Sequence, residues 1–311
     1  MKNYSKIIYL HNIKLYFKCD NLLVFSLLCE QLKFPKFMSY SKYIEIKINL
    51  SVKNEPLKDC RSDKFSTAGK DAFLDCWIRN ILVHLNKKEN KIEAQLIYPS
   101  VLSPEIILHL IIIEPLRQLL KYSNIFFIHA AVVSKHNTGI IICGPPSAGK
   151  STLVTALYNK GYKFLSDEFA ILKKNTVLSL PLKIKLDEES LRWVKVNKRK
   201  FSSKQSIPVK ANKNEFRPNK IEETCLPKVI IFIHKSRKLL VSPRKFALNP
   251  EESFIFLVSD KINSLTYEKN ASLRRKQVQA LWRIARKTKP YLLSYRLNQL
   301  DQACSIITQL L

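Results

Sequence analysis

The residues best suited to chemistry lie in one short segment, residues 144–151, which read GPPSAGKS. This segment fits the pattern G-x-x-x-x-G-K-[ST], in which backbone N–H groups of a glycine-rich loop approach phosphate oxygens closely. Lys150 would then reach the β- and γ-phosphates of a nucleotide, and the Ser151 hydroxyl would take a place on Mg²⁺. The pattern predicts that ATP binds through Gly144, Pro145, Pro146, Ser147, Ala148, Gly149, Lys150, Ser151 and Thr152.

The sequence on either side of this loop predicts a strand before it and a helix after it. Residues 140–143 form a short apolar run of the kind found in buried strands, and residues 151–159 form a good helix. A helix that starts at the loop directs its N-terminal N–H groups and its dipole at bound phosphate. Because the chain has five glycines and two occupy the required positions, a chance glycine-rich turn explains the match poorly. We expect the Lys150 side chain to be exposed in the empty site.

Two adjacent carboxylates, Asp167 and Glu168, follow one helix and one short strand after the loop. A helix and a strand together bring the chain back toward the loop. One carboxylate can hold Mg²⁺ while the other accepts a proton from an attacking hydroxyl group. We predict that Ser151 and Asp167 are metal ligands, that Glu168 is the proton acceptor, and that the strand breaks at residues 166–168. The alternative is a solvated turn with two ordinary acids.

His129 stands in the apolar segment that precedes the loop strand. Histidine changes its charge near neutral pH and often takes part in proton transfer. The residues around it also fit a core strand, in which a histidine is a hydrogen-bonded polar group without a chemical role. From its position alone, both interpretations of His129 stay open.

The elements that must position these residues form two predicted parts, residues 1–102 and residues 103–311. In the first part, apolar and polar residues alternate over 44–52, which is typical of a strand with one solvated face. A helix is predicted at 21–32, and the polar residues 53–70 predict a loop. We interpret this part as an antiparallel α+β accessory region without a chemical site.

The second part predicts an α/β core. Ser103 and Pro104 form a helix start, and Pro115 should kink the buried helix that follows. Further strands are predicted at 177–186, 229–233 and 291–295, and further helices at 187–194, 250–258, 271–287 and 300–311.

Composition limits the class of protein. With 311 residues, 46% of them hydrophobic, the chain can bury a full core. Its seven cysteines are odd in number and form no C-x-x-C pair, which argues against a disulfide framework and a zinc knuckle and favours a reducing, cytoplasmic setting. The apolar run 22–29 begins too late for a signal peptide and lacks its small-residue cleavage site, so a core-facing helix is predicted there. The apolar segment 105–120 is interrupted by charged residues and does not predict a membrane span.

The formal net charge of +28 predicts a surface that attracts polyanions. We interpret the basic segments 195–220 and 274–287 as surfaces that draw in an acidic polypeptide or help to hold phosphate, and the first as a mobile loop. Arg217 in the first segment is a candidate for the arginine that stabilises transferred phosphoryl charge. An AT-rich genome would produce the same excess of lysine without a functional meaning, and that alternative stays open.

Three short motifs resemble those of a known family. They read I-H-A-A at 128–131, G-P-P-S-A-G-K-S-T at 144–152 and F-L-S-D-E-F-A at 164–170. Together they look like the HPr serine kinase/phosphorylase family, and most like its HPr-kinase-related branch, which is found near peptide-maturation genes. The motif-bearing resemblance covers about residues 125–185.

The resemblance implies an ATP- and Mg²⁺-dependent serine kinase whose core is similar to phosphoenolpyruvate carboxykinase. By their match to the family motifs, His129 corresponds to the active-site histidine, and Lys150 and Ser151 correspond to the phosphate and Mg²⁺ residues. Asp167 corresponds to the first carboxylate, and Glu168 to the second, which is the family's proton acceptor. The implied partner is a peptide or small protein, and family members often form homo-oligomers.

The chain departs from the bifunctional members of this family at three places. Their signatures read H-G, G-x-S-G-x-G-K-S and D-D, whereas this chain has Pro145 and Pro146 in the loop and Glu168 as the second acid. The family's E-x-R-G-x-G segment is missing, and P-L-K-I-K stands in that neighbourhood at 181–185. These departures argue against phosphorylase activity and against HPr as the substrate, while ATP-dependent phosphorylation remains implied.

Three functions compete at this level. The first is a kinase for a hydroxyl group of a peptide or small protein, favoured by Asp167 and Glu168 and by the resemblance. The second is a P-loop ATPase or small-metabolite kinase, although the apolar run 229–233 ends at His234 rather than at an acid. The third is nucleic-acid binding, against which stands the lack of a helix-turn-helix, a zinc finger or an aromatic-rich binding pattern.

Overall fold

A computed structural model describes residues 3–35, 43–53, 64–68, 73–78, 81–86, 88–97, 103–194, 214–235, 242–260 and 270–311. The chain divides into two compact units, Met1–Ser123 and Asn124–Leu311. Both contain helices and sheets, so the fold is mixed α/β. No helix in the described ranges is long and apolar enough to cross a membrane.

In the described residues, the first unit is built on a seven-stranded sheet with the order β1-β2-β3-β7-β6-β5-β4. Its strands are β1 Tyr4–Leu10, β2 Ile13–Cys19, β3 Ile44–Lys53, β4 Lys64–Ala68, β5 Phe73–Ile78, β6 Ile81–Asn86 and β7 Lys91–Ile97. The predicted alternation is confirmed in β3, where Ile46 and Ile48 are buried while Glu45 and Lys47 are exposed. One face of β3 therefore packs in the core.

The prediction that this sheet is antiparallel is wrong at two of its strand pairs. β2 pairs with β3 and β3 pairs with β7 in parallel, whereas the other pairs are antiparallel. The helix α1 (Leu22–Gln31) lies between β2 and β3 in the chain and supplies the crossover that parallel strands need. Part of the predicted loop 53–70 is strand β4, and residues 54–63 and 69–70 lie outside the described residues.

A buried helical segment ends the first unit. It consists of α2 Pro104–Leu108, a π-helical turn His109–Ile113 and α3 Glu114–Leu120. The Ser103 hydroxyl caps α2 by accepting a hydrogen bond from the Ile106 N–H at 3.3 Å. The irregularity predicted at Pro115 takes the form of the π turn just before it, since proline has no N–H to donate within a regular helix. The segment packs on β6 and α1, so the division into units falls later than the predicted boundary after residue 102.

In the described residues, the second unit contains a nine-stranded sheet with the order β11-β9-β10-β16-β13-β12-β8, with β18 beside β16 and β17 beside β18. Its strands are β8 Ile125–His129, β9 Ala131–Lys135, β10 Thr138–Cys143, β11 Lys163–Ser166, β12 Phe169–Lys173, β13 Thr176–Leu178, β16 Thr224–Lys235, β17 Arg244–Ala247 and β18 Lys289–Tyr295. A separate pair joins β14 Ile184–Leu186 to β15 Asn214–Phe216. The helices are α4 Lys150–Asn159, α5 Glu188–Val194, α6 Pro250–Ser259, α7 Ala271–Lys287 and α8 Leu300–Thr308.

Helices cover both faces of this sheet. Ile140 and Ile142 of β10 pack in one core cluster with α4, α5 and α8, whereas Ile141 and Cys143 pack in a second cluster with α6 and α7. Because both faces are buried, β10 reads as a continuous apolar run rather than as an alternating one. This second unit is therefore the α/β region that the sequence predicted.

The strand predicted at 177–186 is interrupted in the structure. It splits into β13 and β14, and Pro181 stands between them, where a residue without an N–H cannot continue a sheet ladder. The helix predictions at 187–194, 250–258 and 271–287 are confirmed as α5, α6 and α7. The basic loop predicted over 195–220 lies largely outside the described residues, which resume at 214 with β15.

Candidate functional site

The site begins where β10 ends and α4 starts, in the predicted order of strand, loop and helix. Gly149 has φ 99°, a left-handed conformation that glycine adopts without strain, and a Cβ there would lie 3.2 Å from the Tyr295 hydroxyl oxygen. At Gly144 a Cβ would lie 3.2 Å from the Ile233 carbonyl oxygen of β16. One glycine of the motif is thus required by its backbone conformation and the other by the close approach of a neighbouring strand.

Lys150, the first residue of α4, folds back over the loop. Its Nζ donates hydrogen bonds to the carbonyl oxygens of Gly144 at 2.7 Å and Pro145 at 3.4 Å, and only 8% of the residue is exposed. The expectation that Lys150 is exposed in the empty site is therefore wrong, because the loop carbonyls hold its ammonium group. Burial lowers the pKa of Lys150, and neighbouring carboxylates oppose that shift.

Asp167 and Glu168 lie in the predicted break between two strands. β11 ends at Ser166 and β12 begins at Phe169, which confirms the break. The Oδ1 oxygen of Asp167 is fully buried and has no hydrogen-bond partner, whereas Glu168 is exposed. The two carboxylates therefore have different surroundings: Asp167 is half-buried with one oxygen out of contact with solvent, whereas Glu168 faces solvent.

Burial raises the pKa of Asp167 to about 7, and the nearby Ser151 side chain opposes that rise. A hydroxyl group and a carboxylate with an unpartnered oxygen are hard ligands of the kind that Mg²⁺ uses together with substrate phosphates. In the described residues, no group of three or more His, Cys, Asp or Glu could hold a metal ion.

The acids reach the loop from a strand that is not adjacent to β10. β11 pairs with β9, and β9 pairs with β10, so one strand lies between them. β16 is the parallel neighbour of β10, and the residues at its end are His234 and Lys235 rather than an acid. The carboxylates near the loop therefore come from the edge of the sheet.

His129 is the last residue of β8 and stands opposite Phe169 in the pairing with β12, next to the acidic pair. It is 5% exposed, and its Nδ1 lies 3.0 Å from Oδ2 of Asp260, the residue that ends α6. The charge of Asp260 also acts on Lys150. Sequence reasoning missed Asp260. Its one signal was an acid at a helix C-terminus, where the helix dipole disfavours negative charge.

The structure places Arg217 directly after β15, which pairs with β14. Lys185 of β14 stands opposite Glu215 of β15, and its positive charge acts on Asp167 and favours the ionised form. Lys185 is therefore a basic residue of the site that the sequence reasoning did not single out. The transition-state role of Arg217 stays a prediction.

A cleft with a volume of 570 Å³ opens beside the loop, a size within the range of small-molecule sites. Its lining includes Ser151, Thr152, Lys185, Ser190, Trp193 and Arg296. The Thr152 hydroxyl donates a buried hydrogen bond of 2.8 Å to the Ser190 hydroxyl, which fixes α5 against α4. Sequence reasoning assigned no role to Trp193 or Arg296, because neither belongs to a motif.

No family model matches the chain, and no curated protein matches it. A comparison with solved structures finds similarity to an HPr(Ser) kinase/phosphatase from Coxiella burnetii, with a TM-score of 0.30 and 12% sequence identity. The match covers 59% of this chain and 95% of that chain. At this score and identity the similarity does not establish membership of a family.

Proposed function

We propose that this chain is an ATP-dependent kinase that transfers the γ-phosphoryl group to a hydroxyl group of a peptide or small protein. The preferred acceptor in this proposal is a serine hydroxyl. The observation that carries the proposal lies at the start of α4. The Ser151 side chain favours the ionised form of Asp167, whose Oδ1 is buried without a hydrogen-bond partner, and the neighbouring Glu168 is exposed. This arrangement supports one acid sharing a cation with Ser151 and the other meeting a substrate.

The loop and the N-terminus of α4 supply the phosphate site. Backbone N–H groups at a helix N-terminus and the helix dipole both favour bound phosphate. In the proposed reaction the Lys150 ammonium group leaves the loop carbonyls that hold it now and donates to the β- and γ-phosphate oxygens. Ser151 and Asp167 would hold Mg²⁺, which supplies positive charge against the developing charge of the phosphoryl group.

Glu168 and His129 serve the acceptor side. Glu168 takes the proton of the attacking hydroxyl group, and such help from a general base is typically worth about 10²–10⁴ in rate. His129 pairs with Phe169, which directly follows Glu168 in the chain. Asp260 fixes the orientation of the His129 ring through Nδ1. The cationic Lys185 adds positive charge beside Asp167.

The proposal is tested with the purified chain, Mg²⁺ and ATP labelled at the γ-phosphate, incubated with an arrayed library of serine, threonine and tyrosine peptides. We expect label on serine peptides, and we expect none with the Lys150→Ala variant. Hydrolysis of ATP with no labelled peptide would favour the ATPase alternative. Label on small hydroxyl compounds alone would favour a small-metabolite kinase.

A further inference from the structure

The cleft beside the loop contains more than a phosphate chain needs. Besides the loop residues, its lining includes side chains of α5 and of the segment that follows β18. α5 packs on the short 3₁₀ turn Leu297–Gln299 of that segment, so the two elements form neighbouring parts of one wall. A volume of 570 Å³ leaves room for the nucleoside part of a nucleotide whose phosphates lie at the loop.

Trp193 presents a large aromatic surface in this cleft. It is 42% exposed, whereas tryptophan is usually well buried. Hydrogen bonds anchor α5 to α4 before and after Trp193. Ser190 bonds to Thr152, and the Val194 carbonyl oxygen accepts a hydrogen bond of 2.9 Å from the Asn159 side chain. A fixed, exposed indole ring is a platform on which a nucleobase can stack.

The charged residues of the lining distinguish the end of the cleft that suits phosphate from the end that suits a base. Asp187 and Glu189, near the start of α5, disfavour phosphate there and leave the phosphate chain to the N–H groups of the loop. Arg296 adds a planar guanidinium group, which can stack on or donate to an aromatic heterocycle. A base at this wall therefore has an aromatic and a cationic partner.

We propose that the cleft binds the nucleoside part of a purine nucleoside triphosphate, with the base stacked on Trp193 and beside Arg296. A purine is favoured over a pyrimidine because its two fused rings cover more of the indole. This inference rests on the proposed function, since it takes the phosphates of the same nucleotide to lie at the loop.

The test compares ADP with inorganic pyrophosphate by isothermal titration calorimetry in the presence of Mg²⁺, because the two ligands differ by the nucleoside alone. Trp193→Ala should raise the Kd for ADP about tenfold, within the range found for base–aromatic stacking, and should leave pyrophosphate binding unchanged. Trp193→Phe should recover most of the ADP affinity. Arg192→Ala, the preceding exposed residue of α5, is the matched control and should alter neither constant.

Two results would overturn the base site. One is an unchanged Kd for ADP in Trp193→Ala, and the other is an equal loss for ADP and pyrophosphate, which would make Trp193 a support of the loop. Should Trp193→Ala fold poorly, tryptophan fluorescence of the wild-type protein tests the base site instead. ADP should quench this fluorescence and pyrophosphate should not. Failure of the proposed function is distinct, since pyrophosphate would then bind as well to Lys150→Ala as to the wild type.

Discussion

Two groups of side chains surround the glycine-rich loop 144–149, and they are built differently. The acidic group comes from the ends of β8, β11 and α6 and comprises His129, Asp167, Glu168 and Asp260. The cleft group comes from α5 and from the segment after β18 and comprises Trp193 and Arg296. In the first group His129 is buried, Asp167 and Asp260 are half-buried and Glu168 is exposed, whereas both members of the second group are exposed.

The difference separates chemistry from binding. A buried polar group without a partner costs free energy, so Asp167 Oδ1 has a reason to be there other than stability. An exposed side chain such as Trp193 carries no such cost, and its role can lie in ligand binding alone. We therefore expect changes in the acidic group to lower kcat and changes in the cleft group to weaken nucleotide binding.

The largest effect is expected from Lys150→Ala, which acts on both groups because the residue lies in the loop between them. The change removes the positive charge that would reach the β- and γ-phosphates in the proposed reaction, so phosphoryl transfer should be abolished. Because Lys150 also bonds to two loop carbonyls, thermal unfolding should be recorded alongside activity. Lys160→Ala, at the other end of α4, is the control. Normal phosphoryl transfer by Lys150→Ala would refute the assignment of the site.

The next effect concerns the two adjacent acids. Glu168→Gln should lower kcat by about 10²–10⁴ with little change in ATP affinity, because it removes the proton acceptor and leaves the loop intact. Asp167→Asn should instead raise the Mg²⁺ concentration needed for half-maximal activity. A titration of initial rate against Mg²⁺ and ATP separates the two roles.

The opposite pattern would exchange the roles of the two acids. Near-normal rates in both variants would leave the pair as a solvated turn, and the kinase proposal would then lack its proton acceptor. Asp301→Asn, an exposed acid of α8 paired with Lys160, serves as the control for the loss of a surface charge.

A smaller effect is expected from Asp260→Asn, which tests the partner of His129. Loss of the carboxylate that orients His129 should cost less than loss of a general base, which is worth about 10²–10⁴ in rate, and it should appear in kcat rather than in the KM for ATP. The change should also alter which ring nitrogen of His129 carries the proton, which nitrogen chemical shifts report independently of activity. A double variant with His129→Ala should be no slower than His129→Ala alone.

Additive losses in that double variant would show that Asp260 acts apart from His129. Unchanged nitrogen shifts in Asp260→Asn would contradict the positioning role even if activity falls. In either case Asp260 would leave the acidic group, and the comparison with the cleft group would rest on His129, Asp167 and Glu168.

The smallest effect is expected at α7, where basic residues occupy the face opposite the buried stripe. Arg283, Arg286 and Lys287 are exposed, whereas Leu281 and Ile284 are buried. Replacing these three basic residues by glutamate should raise the KM for an acidic peptide acceptor several-fold and flatten its salt dependence, because screened surface charges act mainly on encounter. An acceptor KM that is independent of salt and unchanged in this variant would show that these basic residues have no role in acceptor binding.

The sequence by itself determined the local parts of this protein. The loop, its strand and its helix follow from a motif whose glycines meet local backbone needs, and the break at Asp167 and Glu168 follows from an interrupted apolar run. The start of α6 is equally local, since Asn249 and Glu252 cap it in a reciprocal pair of hydrogen bonds. Such features depend on residues a few positions apart, which is the range over which a pattern carries information.

Only the tertiary structure decided which distant residues meet. His129 and Asp260 are 131 positions apart, and no spacing rule connects a strand end to a helix end at that distance. Lys150 is buried because the loop turns its own carbonyls toward the ammonium group. The parallel pairs of the first sheet and the cleft between α5 and the end of β18 depend likewise on how elements pack, since packing joins surfaces that the sequence alone leaves unassigned.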